Sequence, residues 1–443
     1  MIFICEPQCK TIDHEQVNSG FIYGLHLAYP EEKILFFAHT RHFEAIKNVL
    51  KNGKVPIDNI EHIPTNFVDE HKFYSIGGII SYYFTFKKIF NKILSLNTNK
   101  IFFLSNNPVI LYTIKKLKQE TRFKNISCTF VLHGELEDIA NANYKARRAP
   151  KIKYSQDSNF KIKLIKLFNN PKKEILKKVL LFITRRTIEK IKRPFLKVYS
   201  QYSLIFKKIF RVKKMMMWQH SNHYHYIALS PHIVKNAKKY LDIDYLNFYT
   251  IIMPTIFTKP LPPADNQFIK FAVFGYGDSV QMYKMLTLLN KKKIPRPYEI
   301  RIISMDNKGT QEFPNITDIG QGKVLSRKDM EKALPDIDVF INLYDENRHR
   351  FGCSASIFEA FAYLKPVLHL SNDGYNYFNK PEKPIGFHTE NLNEYVEKMC
   401  DMIENYPLYK NKLRMFRENM LKYREGYAIE NNLSELRRTF TFG

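Results

Sequence analysis

The sequence predicts an α/β protein built from two doubly wound domains in tandem. Three observations support this prediction. Short runs rich in Ile, Phe and Val alternate with amphipathic segments over the first 140 residues, as in a parallel sheet with helices on both faces. The same alternation restarts near residue 268. At 443 residues the chain is also too long for one ordinary core.

The first half, residues 1–257, is predicted to form one Rossmann-like domain. "HFEAIKNVLKN" and "PVILYTIKKLKQE" have helical spacing, and "PHIVKNAKKYL" is a helix with proline in its first turn. The strands are predicted at "MIFIC", "KILFFA", "KIFFLS", "SCTFVLH", "HYIALS" and "FYTIIMP".

Residues 258–267, "TKPLPPADNQ", hold three prolines and no apolar periodicity, which indicates an interdomain linker. The second domain is predicted over 268–425, with a helical tail over 426–443. Its strands are "FIKFAVFG", "YEIRIISM", "DVFINL" and "PVLHL", and its helices include "SVQMYKMLTLLNKK", "SRKDMEKALPD" and "SIFEAFAYL". Such sheets bind ligands beyond the carboxyl ends of their strands, so the cleft between the domains is the expected site.

The positive charge of the chain is concentrated in one insert of the first domain, residues 145–217. From Lys145 to Lys214 there are 23 lysines and arginines against three acidic residues, which accounts for +20 of the total +26. Leu, Ile and Phe recur there at helical spacing between the basic residues, the pattern of helices that lie on anionic membranes. Compositional drift and nucleic-acid binding are the alternatives, but no nucleic-acid-binding motif is present. We expect an anionic membrane partner and no nucleic acid.

The remaining composition predicts a cytoplasmic protein, peripheral on the inner face of the membrane. Five scattered cysteines suggest reduced thiols. The N-terminus lacks the features of a signal peptide, and no uncharged apolar run approaches the roughly 20 residues that span a bilayer.

The stretch "GCSASIFEAFAYLKPVLHL", Gly352–Leu370, carries the main candidate site. Gly352–Ser356 are predicted to form a loop that becomes the first turn of a helix, where free N–H groups bind anions and small residues let a phosphate approach. Glu359 lies one turn inside, where a carboxylate can accept hydrogen bonds from a ribose diol. The alternative is an ordinary helix cap followed by an incidental acid.

This stretch resembles the signature of the retaining GT-B glycosyltransferases, especially family four, in which a nucleotide-binding Glu precedes a "GkPVi"-like segment. The preceding loop, helix and strand, "DIGQGKVLSRKDMEKALPDIDVFINL", follow the order of that fold. "CTFVLHGE" resembles its strand ending in an active-site His, and "YIALSPHIVKNA" its strand ending in Ser before a helix. The resemblance covers most of the chain except the insert.

The resemblance implies a retaining, metal-independent transferase whose donor is a nucleotide-diphosphate sugar, with no further cofactor. Glu359 would hold the ribose, the amides of the loop with Ser354 and Ser356 would bind the pyrophosphate, and His133 would act at the reacting sugar. A lone His is otherwise more often structural.

The sequence also departs from the family pattern. The pattern has an acid eight residues before Glu359, where this chain has Phe351. The basic pair expected after the first strand of the second domain is not evident in "FGYGDSVQMYK". Arg348, His349 and Arg350, just upstream of the signature, are the candidates for the missing positive charge, although an exposed basic loop would look the same.

Further candidates follow from position at strand ends. Gly275 and Gly277 are predicted to let backbone approach a phosphate, or else form a plain tight turn. His14 and Asn18, four residues apart, are predicted on one helical face near the end of the first strand, either as acceptor contacts or as ordinary helix surface. Glu135 is a weaker acceptor candidate, with a solvated loop as the alternative. The spacing of His220, His223 and His225 does not suit a metal site, and no metal is expected.

The sequence therefore predicts a glycosyltransferase that moves a sugar to a growing surface glycan, taken to be lipid-linked, at the cytoplasmic membrane face. The rival hypothesis is a non-catalytic membrane-binding protein on a decayed GT-B fold. Phe351 and the missing basic pair favour that rival.

Overall fold

The structure is a computed structural model of the chain. It describes residues 1–67, 75–137, 210–241, 243, 246–257, 259–275, 278–304, 310, 312–323, 325–346 and 348–441. Most of the basic insert, together with Gly277, lies outside the described residues.

The first domain is built on a seven-stranded sheet in which every described pairing is parallel, in the order β3-β2-β1-β4-β5-β6-β7. Most of its strands are fully buried apolar runs, as expected when helices cover both faces of a parallel sheet. The order reverses beside β1, which places a crevice at the carboxyl ends of β1 and β4. The strands are β1 (Ile2–Cys5), β2 (Ile34–Ala38), β3 (Ile60–Pro64), β4 (Lys100–Phe103), β5 (Ser127–Leu132), β6 (Tyr224–Ala228) and β7 (Phe248–Thr250).

The helices of the first domain begin at recognisable signals. Asn107 caps one helix through the N–H groups of Val109 and Ile110, and Pro231 opens another. The described helices are α1 (Glu15–Ala28), α2 (Thr40–Asn52), α3 (Ile76–Ser95), α4 (Pro108–Leu117), α5 (Val212–Met217) and α6 (Pro231–Tyr240), with a 3₁₀ turn at Thr121–Phe123.

The second domain has a six-stranded parallel sheet in the order β10-β9-β8-β11-β12-β13. The order reverses between β8 and β11, so the loops that follow these two strands border the second crevice. The strands are β8 (Lys270–Gly275), β9 (Glu299–Ser304), β10 (Ile316–Asp318), β11 (Val339–Asn342), β12 (Val367–Leu370) and β13 (Gly386–Thr389). The helices are α7 (Ser279–Asn290), α8 (Arg327–Ala333), α9 (Ala355–Tyr363), α10 (Asp373–Phe378), α11 (Leu392–Glu404) and α12 (Tyr406–Tyr427).

The C-terminal end of the chain crosses back to the first domain. After α12 and a 3₁₀ turn at Ile429–Asn431, helix α13 (Leu433–Thr441) packs on α1. The approach is so close that a Cβ on Gly24 would lie 2.5 Å from the Leu436 side chain. Tyr23 donates a hydrogen bond of 2.8 Å to Glu430. These contacts couple the two domains away from the cleft.

The predicted fold class is confirmed: the chain forms two parallel sheets covered by helices, with two apolar cores. The short strands β3, β10 and β13 were not predicted from the sequence. The domain limits at residues 257, 267 and 425 stay predictions. No helix of the described residues is both long and apolar enough to cross a bilayer.

Candidate functional site

The N-terminus of α9 opens on the second crevice. Its first residue, Ala355, is exposed, and the Ser354 hydroxyl does not cap the helix. Ser354 and Ser356 instead share a hydrogen bond of 2.7 Å between their hydroxyls, and Ser356 shares another of 2.7 Å with Tyr375. Asn342, at the end of β11, donates to the same Tyr375 hydroxyl at 2.9 Å. The serines therefore shape the loop, and the first amides of the helix keep no side-chain cap.

Glu359 is paired with an arginine that the sequence analysis missed. Nη1 of Arg327 lies 2.7 and 2.9 Å from the two oxygens of Glu359, and both side chains are largely buried. Burial alone would lower the pKa of Arg327, but Glu359 and Tyr363 raise it above its ordinary value. The guanidinium also reaches Glu331 at 3.3 Å. The carboxylate of Glu359 is thus held in a fixed orientation by Arg327.

A carboxyl group of the first domain lies close to this pair. The pKa of Glu15, at the start of α1, is raised to about 7, chiefly by burial; Arg327 opposes the shift, and Glu359 and Asp13 add smaller raising effects. Glu15, Ser326 and Arg327 line a pocket of about 360 Å³ between the domains. Glu359, the carboxylate predicted to bind the nucleotide, therefore lies at the interface between the two domains.

The loop before α9 is clamped by two side chains of α6. Asn236 donates to the carbonyl of Arg350 and to Asp373, each at 2.9 Å. Nε2 of His232 lies 3.1 Å from the carbonyl of His349 and 3.3 Å from that of Gly352. Because carbonyls only accept, Nε2 of His232 carries the proton. Both residues follow "YIALS", for which the sequence predicts only a strand that ends in Ser before a helix.

Arg350, one of the candidates for the missing phosphate-binding charge, faces this same interface. Its Nε lies 3.7 Å from Asp373, and its guanidinium lies over the Tyr240 ring at 5.7 Å. In this conformation its charge is directed to Asp373 and the first domain.

The loop also touches the end of β5 directly. The N–H of Phe351 donates to Glu137 at 2.9 Å. A Cβ on Gly352 would lie 2.9 Å from the carbonyl oxygen of His133, closer than side-chain carbons normally approach. Gly352 is thus required by the close approach of the two domains.

We expect Gly352→Ala to reduce transfer at least about tenfold, because the two loops must separate by some tenths of an ångström at the predicted reacting centre. The measurement is the kcat and the donor KM of the variant, after circular dichroism has verified that it is folded. Gly134→Ala is the matched control, since nothing lies within 4 Å of a Cβ at that position. Equal activity of the two variants would contradict the functional importance of this contact.

His133 lies at the end of β5, facing the first crevice. Its Nε2 lies 2.6 Å from the carbonyl of Leu104, so Nε2 carries the proton. Its ring stacks on His14 with centroids 4.1 Å apart. Burial, with a smaller contribution from His14, lowers the pKa of His133 to about 3, against the raising effects of the Leu104 carbonyl and Glu6. His133 is therefore a neutral imidazole near pH 7 whose Nδ1 can accept a hydrogen bond.

The three acceptor candidates differ in their placement. His14 is exposed and has the left-handed backbone conformation that precedes α1, with φ of 57°. The prediction that it shares a helical face with Asn18 is therefore wrong. Asn18 is fully buried and reaches no surface in this structure. Glu135 accepts from the N–H groups of His133 at 2.7 Å and Gly134 at 3.1 Å, which stabilises the turn after β5.

Asn18 belongs to a buried network around Glu6, which sequence reasoning missed. Its amide nitrogen lies 2.9 Å from both Glu6 and Nε2 of His42. Burial would raise the pKa of Glu6, but His42 and hydrogen bonds from Ser105 and two backbone N–H groups lower it. The available signal was an acid directly after the first strand, in "MIFICEP".

The same network offers a possible set of metal ligands. One potential ligand atom from each of Glu6, Cys9 and His42 lies within 4.8 Å of the other two. Glu6 already accepts hydrogen bonds from the N–H groups of Gln8 at 2.9 Å and Cys9 at 3.0 Å. Hydrogen bonding thus accounts for the carboxylate without a metal.

The glycine candidates are only partly described. Gly275 ends β8 at the second crevice, as predicted. Gly277 lies outside the described residues, so the phosphate role of this turn stays a prediction.

No family model and no curated sequence matches the chain, but solved structures do. Sucrose-phosphate synthase from Thermosynechococcus elongatus aligns over 100% of this chain and 99% of its own, with a TM-score of 0.58 and 10% identity. Anabaena HepE in complex with UDP-glucose covers 100% and 99%, with a TM-score of 0.53 and 11% identity. The lipopolysaccharide outer core galactosyltransferase WaaB covers 99% and 98%, with a TM-score of 0.52 and 9% identity. Together with the two facing sheets, this similarity establishes the GT-B fold.

Proposed function

We propose that this chain is a glycosyltransferase that uses a nucleotide-diphosphate sugar as its donor. One arrangement supports the proposal above all others. The N-terminus of α9, with Glu359 one turn inside, faces His133 of the first domain across the interface. This is the order that a diphosphate, its ribose and its sugar require.

Different residues of this site bind different parts of the donor. The free amides at Ala355 and Ser356 bind the pyrophosphate, whose negative charge the helix N-terminus stabilises. Glu359, oriented by Arg327, accepts hydrogen bonds from the ribose hydroxyls. Nδ1 of His133 accepts a hydrogen bond from a hydroxyl of the transferred sugar.

In the transfer itself, the acceptor oxygen forms a bond to the anomeric carbon while the bond from that carbon to the phosphate oxygen breaks. The proton of the acceptor hydroxyl passes to the leaving diphosphate. Stabilising the charge on that leaving group is the main catalytic contribution. Retention of configuration, and independence from metals and other cofactors, are proposed from the family resemblance of "SASIFEAFAYLKPVLHL".

The acceptor is proposed to be a lipid-linked glycan of a surface polysaccharide, at the cytoplasmic face of the membrane. The concentration of positive charge from Lys145 to Lys214 favours an anionic lipid surface. One structure of similar fold is a transferase of the lipopolysaccharide outer core.

The test is a thermal-stability screen with nucleoside diphosphates, followed by an assay for hydrolysis of UDP-glucose without acceptor. UDP comes first because HepE, of similar fold, was solved with UDP-glucose. A ligand at 100 times its Kd stabilises the native state by about 2.7 kcal/mol. We expect a nucleoside diphosphate to raise the midpoint of unfolding well above the shift given by its monophosphate. No shift with any nucleoside diphosphate would contradict the proposal.

The second candidate is a non-catalytic membrane-binding protein on this fold. It is favoured by Phe351 in the position of the family acid and by the direct contact of Gly352 with the His133 loop. Stabilisation by a nucleotide without turnover of any nucleotide sugar would select this candidate.

A further inference from the structure

One face of α3 exposes large apolar side chains. Ile76, Ile80 and Phe84 are 65%, 50% and 58% exposed, and their spacing of four residues places them on one slowly turning row. The opposite face of the same helix, with Tyr82 and Phe86, is fully buried in the core. We call the row of three the α3 patch.

The charged residues of helix α3 itself are all basic. Helix α3 contains three lysines and no acidic residue. Lys88 and Lys92 extend the row of the patch and are exposed, whereas Lys87 pairs with Glu120 at 2.8 Å. An apolar row followed by exposed lysines has the chemistry of a surface that lies on anionic lipid.

The α3 patch lies near the predicted site, because α3 begins at the carboxyl edge of the first sheet. Tyr82, on the buried face of α3 opposite the patch, donates to the carbonyl of Pro7 at 3.4 Å. Pro7 follows β1 in the loop that leads to His14, which stacks on His133. A surface bound at the patch would therefore lie beside the crevice of the first domain.

The basic insert rejoins the fold on the same face. Phe210, the first described residue of the insert, packs edge-on against Tyr112 of α4 with ring centroids 5.0 Å apart. Helix α4 in turn packs on α3. The segment that carries +20 thus re-enters the first domain one helix away from the α3 patch.

Charge complementarity decides between the possible occupants. The basic insert and a second copy of this chain are both strongly cationic, and each would bring like charge against Lys88 and Lys92. An anionic bilayer attracts these lysines and receives the apolar side chains at its acyl boundary.

We propose that the α3 patch docks the first domain on an anionic lipid bilayer, with the crevice of His133 turned towards the membrane. It extends the proposed function, since a lipid-linked acceptor would then be presented at that crevice. The docking itself requires no catalysis and is tested without substrate.

The experiment compares the full-length protein with Ile80→Glu/Phe84→Glu by co-sedimentation with phosphatidylcholine vesicles, with and without phosphatidylglycerol. We expect the double variant to lose at least about tenfold in partitioning to anionic vesicles, or about 1.4 kcal/mol. The matched control is Leu408→Glu, because Leu408 is 78% exposed on α12 of the second domain, and it should bind like wild type. Unchanged midpoints of thermal unfolding verify that all variants fold.

Three results would overturn the docking proposal. The first is equal vesicle binding by wild type and double variant. The second is a wild-type dimer in sedimentation velocity that the double variant abolishes, which would assign the patch to a second copy. The third concerns the fluorescence of a Phe84→Trp variant after subtraction of the wild-type spectrum. If the emission of the new Trp is already blue-shifted without vesicles, the α3 patch is covered by the insert. None of these results bears on transfer to a soluble acceptor, so failure here is separable from failure of the transferase proposal.

Discussion

Replacing Glu359 by Gln should weaken the binding of a nucleoside diphosphate by about ten- to hundredfold. The reason is the loss of hydrogen bonds from the ribose to a carboxylate, which contribute about 1.5–3 kcal/mol. Gln keeps the shape of the side chain and one oxygen for Arg327. Ala would leave that buried guanidinium without its main partner and would confound binding with stability.

The matched control is Glu331→Gln, since Glu331 also pairs with Arg327, at 3.3 Å, but is more exposed than Glu359. Isothermal titration of both variants, with their unfolding midpoints, separates the two effects. We expect Glu331→Gln to bind the nucleotide within about twofold of wild type. Equal loss of affinity in both variants would mean that only the ion-pair network matters and that Glu359 does not contact the ribose.

Much of the fold was predictable because parallel sheets impose a simple pattern on the sequence. Within "MIFIC", the strand Ile2–Cys5 is buried along its whole length, and buried strands read as continuous apolar runs. Strand β3, "IEHIP", is a partly exposed edge strand, so it lacks that signal and was missed. Ser326 was predicted to begin a helix and does cap α8, through the N–H of Asp329 at 3.3 Å.

The candidate site was less predictable, because its partners come from distant parts of the chain. Glu359 and Arg327 are 32 residues apart and meet only when α8 and α9 pack together. Asn18 lies in a polar stretch that reads as helix surface, yet it is buried, and its amide nitrogen lies 2.9 Å from both Glu6 and His42. No local pattern contains that information.

The close contact between the domains was equally hidden. "FGCS" suggested small residues for phosphate approach, and the structure gives Gly352 another reason, its contact with the carbonyl of His133. Both reasons favour glycine, so the sequence alone could not distinguish them.

His133 is the residue for which we expect the largest effect on turnover, and two substitutions can separate the roles of its nitrogens. Nε2 donates to the carbonyl of Leu104 at 2.6 Å, while Nδ1 has no hydrogen-bond partner among the described residues. Asn places its amide oxygen near the position of Nδ1, and Gln places its amide nitrogen near that of Nε2.

If Nδ1 accepts a hydrogen bond from the transferred sugar, His133→Gln should lower kcat by about ten- to hundredfold and leave the affinity for the free nucleoside diphosphate unchanged. His133→Asn should retain more turnover than Gln, although it loses the bond to Leu104. Since the pKa of His133 is lowered to about 3, the ring stays neutral from pH 5 to 8, and wild-type kcat should show no ionisation of this residue near pH 6.5. The opposite order of the two variants, or loss of nucleotide affinity in both, would show that His133 only supports the loop after β5.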